Sequence, residues 1–453
     1  MATTYNSGQM KFGDPGKATS DSASLSTRRL YDFSDRVADL APDESPFFVY
    51  LSKVGKVPTS DSQFRFLEDR TKIAITDRSF LIDGGQTLAD SGGTTDVLVD
   101  LDGATVPWLV KGMVVQFAQN INSEGGGAGD VEAITQATGR INSVTHNAAD
   151  TTINVTTISN SSGGTTTLDD NGKGVVIGTS YAEGSGAPDV WSQELDSRFG
   201  YTQIFKTACE MSNTARATVY RGYSDEWQRI WNLKLREHKI DIERAMLFGM
   251  QGTQGGIQYT DGIVGHIIKN GGTPTNMSSA NLSYTSETPY LATFASSELT
   301  YDGLLDAFEV LFDPARGGST SKLCLASLPV ISHFNKITAG FIGNTTDAGS
   351  PYNFEASQGA FGHKVMKIDT VHGDCTIVKE PLFRVNASGH MCFVDLDHVS
   401  YRPLVGNGMN RDTSVTTNVQ QADEDLRKDM ILTEAGLEVN MPETHALFNV
   451  EGL

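Results

Sequence analysis

SDEWQRIWNLKLREHKIDIERAMLFG, residues Ser224–Gly249, decides how the rest of the chain is read. Trp227, Ile230, Trp231, Leu235, His238, Ile242, Ala245 and Met246 recur at three- and four-residue steps, so they share one face of a helix. Arg229, Arg236, Glu237, Lys239 and Glu243 fall mostly elsewhere, on the solvated side. Ser224 is the expected N-cap, Asp225 and Glu226 place negative charge in the first turn, and Gly249 is the expected stop. At 1.5 Å per residue such a helix is about 39 Å long, longer than most globular helices. Alone it reads as a core helix. Its surroundings give it a different meaning.

Upstream, residues 1–27 are rich in Ser, Thr, Gly and Asp and have few large apolar side chains, so they form an arm without a core of its own. Leu30, Phe33, Val37 and Leu40 keep helical spacing before Pro42. A second short helix is predicted from Ser45 as N-cap and Pro46 at the first position. It carries Phe47, Phe48, Tyr50, Leu51 and Val54 and ends at Gly55. Residues 57–82 alternate in patches around Phe64, Phe66, Ile73 and Ile75 and predict an extended ribbon. From 96 to 188 the texture changes to VLVDL, GMVVQF, GRINSVTH, TTINVTTIS and KGVVIGTSY, separated by Gly, Asn, Asp and Thr. These predict five strands of a small barrel or sandwich. Residues 189–208 return to extended character, so a ribbon leaves the body, carries a compact insertion and comes back before the long helix.

Downstream, 251–289 reads as a Gly- and Asn-rich loop, Thr300–Phe312 as an amphipathic helix, Lys322–Leu325 as a strand and Ser327–Ile337 as a helix. Residues 339–362 read as a loop. KVMKIDTVHGDCTIVKEP (364–381) is a hairpin-like pair around Gly373, and HMCFVDLDHVSYRPL (390–404) is a strand. A polar loop at 406–429 precedes terminal strands at Met430–Leu432, Gly436–Met441 and His445–Val450.

Composition narrows the function classes. The 453 residues suffice for two or three domains, and no apolar run approaches a membrane span. The N-terminus lacks an apolar secretory core, and four widely spaced cysteines predict reduced thiols made in a cytoplasm. The net charge is −20, and residues 73–200, with 5 basic and 16 acidic side chains, hold −11 of it. A free-standing DNA-binding protein is excluded, because phosphate neutralisation needs clustered Lys and Arg.

Chemistry is sparse. No Walker motif, GxSxG elbow or HExxH occurs, and the glycine clusters lack a strand–turn–helix setting. Asp395-Leu396-Asp397-His398 resembles a metal cluster, but in a strand the carboxylates and the histidine point to opposite faces, so a polar strand edge is the better reading. Asp100 and Asp102 are read the same way. No catalytic residue, cofactor or metal is expected, and the chain is read as a non-enzyme.

The order of a polar arm, an extended loop, a long spine helix, an α+β body and closing strands resembles the tailed-bacteriophage major capsid proteins of the Hong Kong 97-type fold. SDRVADLAPDESPFFVYLSKVGK (34–56) is similar to that family's arm-to-loop segment. VKGMVVQF, GRINSVTHNAADTTINVTTI and GVVIGTSYAEGSGAP resemble the β insertion of one branch. DIERAMLFG (241–249) resembles the end of the spine, and GHMCFVDLDHVSYRPL with residues 425–450 resembles the close of the body.

The resemblance implies an N-terminal arm at 1–56, an extended loop at 57–95 and 189–212, and a barrel-like insertion at 96–188. It implies a peripheral domain from 213–254 and 426–453 with spine helix 224–249, and an axial domain at 255–425. It also implies a homo-oligomeric shell of hexamers and pentamers around double-stranded DNA, located in the virion and made in the host cytoplasm. Scaffold, portal and cement proteins are implied as partners, with no membrane. No long charged helical segment precedes the arm, so no fused scaffolding domain is expected. Phe47, Phe48, Tyr50, Phe64 and Phe66 are the expected assembly contacts, and the acidic insertion is expected to face away from DNA. Three other readings compete. One is a cellular nanocompartment shell of the same fold. The second is a β-rich carbohydrate-binding or adhesin protein, suggested by Trp108 and Trp191 as exposed aromatics. The third is a hydrolase, favoured only by the acidic clusters and by nothing with catalytic geometry.

Overall fold

The computed structural model describes residues 47, 51, 56–69, 78–101, 105–118, 136–147, 150–160, 164–168, 170, 172–192, 194–220, 225–271, 274–276, 289–344, 354–358 and 364–452. The arm at 1–27 and the helix expected over 30–40 lie outside them. Of the second short helix, Phe47 and Leu51 are described, and both are helical and buried. The chain is α+β and divides into two compact units, with one boundary between His238 and Lys239.

The larger unit holds an eight-stranded mixed sheet. Its strand order is Thr275–Asn276, Tyr290–Ala295, Ala446–Glu451, His390–Val394, Ser321–Ala326, Asp374–Lys379, Lys364–Asp369 and Phe354–Gln358. Side chains alternate across a strand, and here both faces are covered, which is why LCLA and MCFV read as unbroken apolar runs. Leu323, Leu325, Cys392, Val394 and Leu447 enter one core with Phe47, Leu51, Ile242, Met246 and Ile263. Cys324, Ala326, Met391, Phe393, Ala446 and Phe448 enter another with Leu304, Phe308, Val330 and Phe334. Those four come from helices Tyr301–Leu311 and Leu328–Asn344, and Thr300 caps the first by accepting from the Gly303 N–H at 3.2 Å. All four cysteines are buried and unbridged.

The insertion is a closed six-stranded barrel in the order Ser79–Ile82, Thr94–Asp100, Thr151–Asn160, Gln136–His146, Met113–Ala118 and Lys173–Thr179. Five of these strands are the five expected. The sixth, Ser79–Ile82, falls in the stretch the sequence assigned to the extended loop. It pairs with both Thr94–Asp100 and Lys173–Thr179, and so closes what would otherwise be an open sheet. Phe80, Ile82, Val97, Val99, Val115, Phe117, Ile141, Ile153 and Val155 fill the interior with Trp108, whose ring lies 6.5 Å from Phe80. Trp108 is 3% exposed, and Trp191 is partly buried against the same core. The aromatic platform on which a carbohydrate-binding reading rested is therefore a barrel filling.

The spine helix spans Glu226–Phe248. Asp225 supplies the first-turn acceptor, taking the Gln228 N–H at 3.2 Å, and Ser224 lies outside the described residues. Ile242, Met246 and Leu247 are fully buried in the body, and so is Glu243, which the periodicity placed on the solvated side. At its end the helix meets Ile263–Asn270 backbone to backbone, through glycines. A Cβ on Gly265 would sit 2.2 Å from the Gly249 carbonyl oxygen, and one on Gly262 would sit 2.5 Å from the Gly249 nitrogen. Gly265→Ala is expected to lower stability by about 1–3 kcal/mol by forcing the two helices apart. A shift of the urea midpoint at constant slope is the check, and an unchanged midpoint would refute the close approach.

The smaller unit includes Lys206–His238 and Val415–Ile431 among the described residues. In it Trp227 carries two guanidinium groups, Arg427 at 4.8 Å and Arg216 at 5.8 Å from its ring centre. Asp429 holds Arg427 at 2.9 Å, and His238 Nδ1 is 2.9 Å from the Thr207 hydroxyl. Trp227, Ile230, Trp231 and Leu235 are only half-buried there, so the apolar face found by periodicity is partly open over this half.

Three further expectations change. The helix predicted to end at Ile337 runs to Asn344, and Phe354–Gln358 is a strand, so 339–362 is not one loop. The strand expected over 390–404 breaks after Val394 into a 3-10 turn, Leu396–His398, with Asp395 as its cap. The separate strands at 430–432 and 436–441 are one strand, Leu426–Val439. Glu434, within it, is buried but paired with Arg411 and accepts from the Thr202 hydroxyl at 3.3 Å.

Candidate assembly surfaces

The expected contact residues separate into two environments. Phe47 is fully buried, and its backbone N–H donates to Glu243 Oε1 at 2.8 Å, so it is a docking residue inside the body. Phe48 and Tyr50 lie outside the described residues. Phe64 and Phe66 sit on a two-stranded antiparallel ribbon, Gln63–Glu68 against Asp196–Tyr201. Phe64 is buried, stacks 6.4 Å from Phe66 and lies 5.6 Å under the Arg402 guanidinium. Its cross-strand partner is Gly200, where a Cβ would meet the ring at 2.5 Å. Phe64 is thus committed to its own chain, and Phe66 is half-buried beside it.

The free face of the ribbon is the other one. Alternation puts Arg65, Leu67, Ser197 and Phe199 there, with Arg65 opposite Phe199 and Leu67 opposite Ser197. Leu67 is 64% exposed and Phe199 is 46% exposed, and Ile204 on the next strand, Gln203–Ser212, is 49% exposed. The Phe199 and Tyr201 rings meet edge-on at 5.7 Å, which stiffens the row. The period-two pattern in QFRFLE and DSRFGY marks these positions. Sequence reading chose the larger aromatics on the opposite face instead.

At the base of the ribbon is a cleft of about 240 Å³ lined by Phe66, Arg198, Phe199, His266, Lys269 and Leu437 among others. Arg198 there pairs with buried Glu68 at 3.0 Å, and His266 Nδ1 lies 2.7 Å from Asp261 Oδ2. Among the described residues no group of three or more His, Cys, Asp or Glu is placed to hold a metal ion.

Asp395 is neither a metal ligand nor a strand-edge polar group. It is fully buried, with Lys322 Nζ at 3.5 Å. Asp395 Oδ2 accepts from the Ser319 N–H at 2.6 Å, and Oδ1 accepts from the Asp397 N–H at 3.1 Å. Lys322 also donates to the Thr444 carbonyl at 2.8 Å. Burial pulls the Lys322 ammonium below its ordinary range, and the Asp395 carboxylate opposes that. The Asp395 N–H donates to His445 Nδ1 at 3.1 Å, so that nitrogen is unprotonated, as burial of the ring also favours. Arg316 and Glu443 flank this cluster, with Arg316 donating to the Glu443 carbonyl.

An exposed apolar row on a two-stranded ribbon is the kind of surface that a partner covers. The chain belongs to the SU10 major capsid protein family, whose model matches residues 3–452. Its role is that of a major capsid protein, assembling with copies of itself into a phage capsid. No curated protein sequence matches it. Among solved structures, a chain from Microbacterium phage Oxtober96 is 8% identical over 95% of this chain and 98% of that one, with a TM-score of 0.43. One from Gordonia phage Cozz is 9% identical over 98% and 99%, with a TM-score of 0.41. The holo-SrpI encapsulin complex of Synechococcus elongatus PCC 7942 is 11% identical over 56% and 77%, with a TM-score of 0.34. All three scores lie below one half, and the family match alone carries the assignment.

Proposed function

We propose that the chain builds an icosahedral shell of hexamers and pentamers around double-stranded DNA on the Hong Kong 97-type plan. In this reading 1–56 is an arm lying across a neighbour, and 57–95 with 189–212 is the extended loop. The barrel centred on 96–188 is the branch-type insertion, facing outward. The peripheral domain is 213–254 with 426–453, and the axial domain is 255–425. Scaffold, portal and cement proteins would be its partners, with synthesis in the host cytoplasm. The acidic excess of −11 in residues 73–200 supports an outward insertion, since like charge facing packed phosphate is repulsive.

The observation that carries the proposal is the apolar outer face of the ribbon, Leu67 and Phe199 with Arg65 between them. Both of its apolar side chains are exposed on a single chain. Its natural cover is the body of an adjacent copy. Leu67→Asp combined with Phe199→Asp is expected to leave the subunit's thermal unfolding within about 0.5 kcal/mol of the parent, because both side chains are already solvated in one chain. The same variant should fail to form rings or shells in negative-stain electron microscopy. Normal particles from it would reject the ribbon as an assembly contact. A parent chain that stays monomeric with and without a scaffold protein would reject the shell reading.

A further inference from the structure

An asparagine followed by glycine is chemically labile, because glycine has no Cβ to keep its amide nitrogen away from the preceding carboxamide. The sequence holds three such pairs, Asn171-Gly172, Asn270-Gly271 and Asn407-Gly408. Asn171 lies outside the described residues, and the fold treats the other two in opposite ways. Asn407 and Gly408 turn the hairpin between Val405–Gly406 and Met409–Asn410. Both lie in the left-handed region, at φ 50° and 77°, the pattern of a type I′ turn. Both are exposed. Neither the Asn407 side chain nor the Gly408 N–H makes a hydrogen bond among the described residues, and a Cβ built on Gly408 would meet nothing within 4 Å. Solvent reaches both reacting groups, and only the turn's own backbone has to rotate to bring them together.

Asn270 and Gly271 close the helix Ile263–Asn270. There the Gly271 N–H donates to the Ile267 carbonyl at 2.8 Å, and Asn270 Nδ2 donates to the His266 carbonyl at 2.9 Å. Asn270 is half-buried, and a Cβ on Gly271 would lie 2.5 Å from Leu291 Cδ1. The nucleophile and the group it would attack are each held by the last turn of the helix. Both bonds must break before the two can meet.

We propose that Asn407 is a site of spontaneous deamidation and isomerisation by water, and that the helix end protects Asn270 from the same reaction. The Gly408 amide nitrogen gives up its proton to solvent and bonds to the Asn407 side-chain carbonyl carbon. The bond from that carbon to the side-chain nitrogen breaks, and ammonia leaves with a proton taken back from solvent. Water then opens the cyclic imide at either carbonyl. One product is aspartate in the ordinary backbone. The other is isoaspartate, in which the chain runs through the former side chain and is one methylene longer. Both add a negative charge at the turn. The longer backbone no longer fits a two-residue turn, so the Gly406–Met409 pairing that it closes must shift. Val405, whose N–H donates to the Thr59 carbonyl at 2.8 Å, ties this hairpin to the segment leading into the ribbon.

The full-length protein is incubated natively in mildly alkaline buffer made with heavy-oxygen water, then digested in ordinary water for peptide mass spectrometry. Peptides carrying Asn407 should exchange NH2 for labelled OH, and electron-transfer fragmentation should show isoaspartate beside aspartate. Asn270 should react roughly tenfold or more slowly, because its two hydrogen bonds have to open first. In urea that unfolds the chain the two sites should converge to within about threefold, since each is then an Asn-Gly pair in open chain. Equal rates in the native protein would overturn the proposal. So would an Asn407 that stays intact while the unfolded chain reacts, or a native difference that persists unchanged in urea.

Discussion

Asp395→Ala is expected to destabilise the body by about 3–5 kcal/mol, the cost of leaving a buried charge without its partner. The side chain lost is fully buried and stands 3.5 Å from the Lys322 ammonium, which is itself inaccessible. It also satisfies two backbone donors, the N–H groups of Ser319 and Asp397, and caps the turn Leu396–His398. Alanine strands all three groups. Lys322 can shed its proton more easily than an exposed lysine because burial has already lowered its affinity, which limits the loss but does not remove it. Asp395→Asn should cost less, because an amide oxygen still serves one of the backbone donors. Combining Asp395→Asn with Lys322→Met should recover part of the loss, since removing both charges is far less costly than removing one. Equilibrium urea denaturation of the isolated subunit gives these values. Equal stability of Asp395→Ala and the parent would show that the pair is not buried as described.

Phe47→Ala is the second large effect, about 3–5 kcal/mol for removing a fully buried phenyl ring. Its consequence is local before it is global. Phe47 and Leu51 reach the core beside Ile242, Met246, Phe383 and Leu437, so the segment around them is held by two apolar anchors and one hydrogen bond to Glu243. Truncating the ring should release that segment while the eight-stranded sheet stays folded. Limited proteolysis near residues 45–56 should accelerate by at least tenfold with the melting of the body little changed. Shell formation should fall with it. A variant that resists protease as the parent does would show that Leu51 and Glu243 suffice.

How much of this was legible in the sequence depended on whether a local pattern or a distant partner decides the structure. Five barrel strands, the spine helix, the Tyr301–Leu311 helix and the 364–379 hairpin were readable because alternation or helical spacing survives in each. Strand Ser79–Ile82 was read as part of the extended ribbon and not as a barrel strand, because its place is set by pairing with a strand nearly a hundred residues away. Glu243 and Asp395 were misread for one reason. Sequence pattern treats a carboxylate as a mark of solvent, and each of these is buried because Phe47 or Lys322 arrives from a remote part of the chain. The expected contact residues divide in a related way. Large aromatics were chosen, but Phe47 and Phe64 are large because they fill space inside one subunit. The exposed apolar side chains of the ribbon are Leu67 and Phe199.

The barrel's point of closure has an engineering meaning. Its first strand, Ser79–Ile82, and its last, Lys173–Thr179, lie side by side, with Ser79 opposite Val175 and Leu81 opposite Lys173. At Ser79 and Val175 the two strands are therefore one strand spacing apart, about 5 Å, and the last strand runs on past that point to Thr179. A cut at those two positions would need only a short turn to rejoin, which makes them the natural points at which to excise the barrel strands or to set another domain between them.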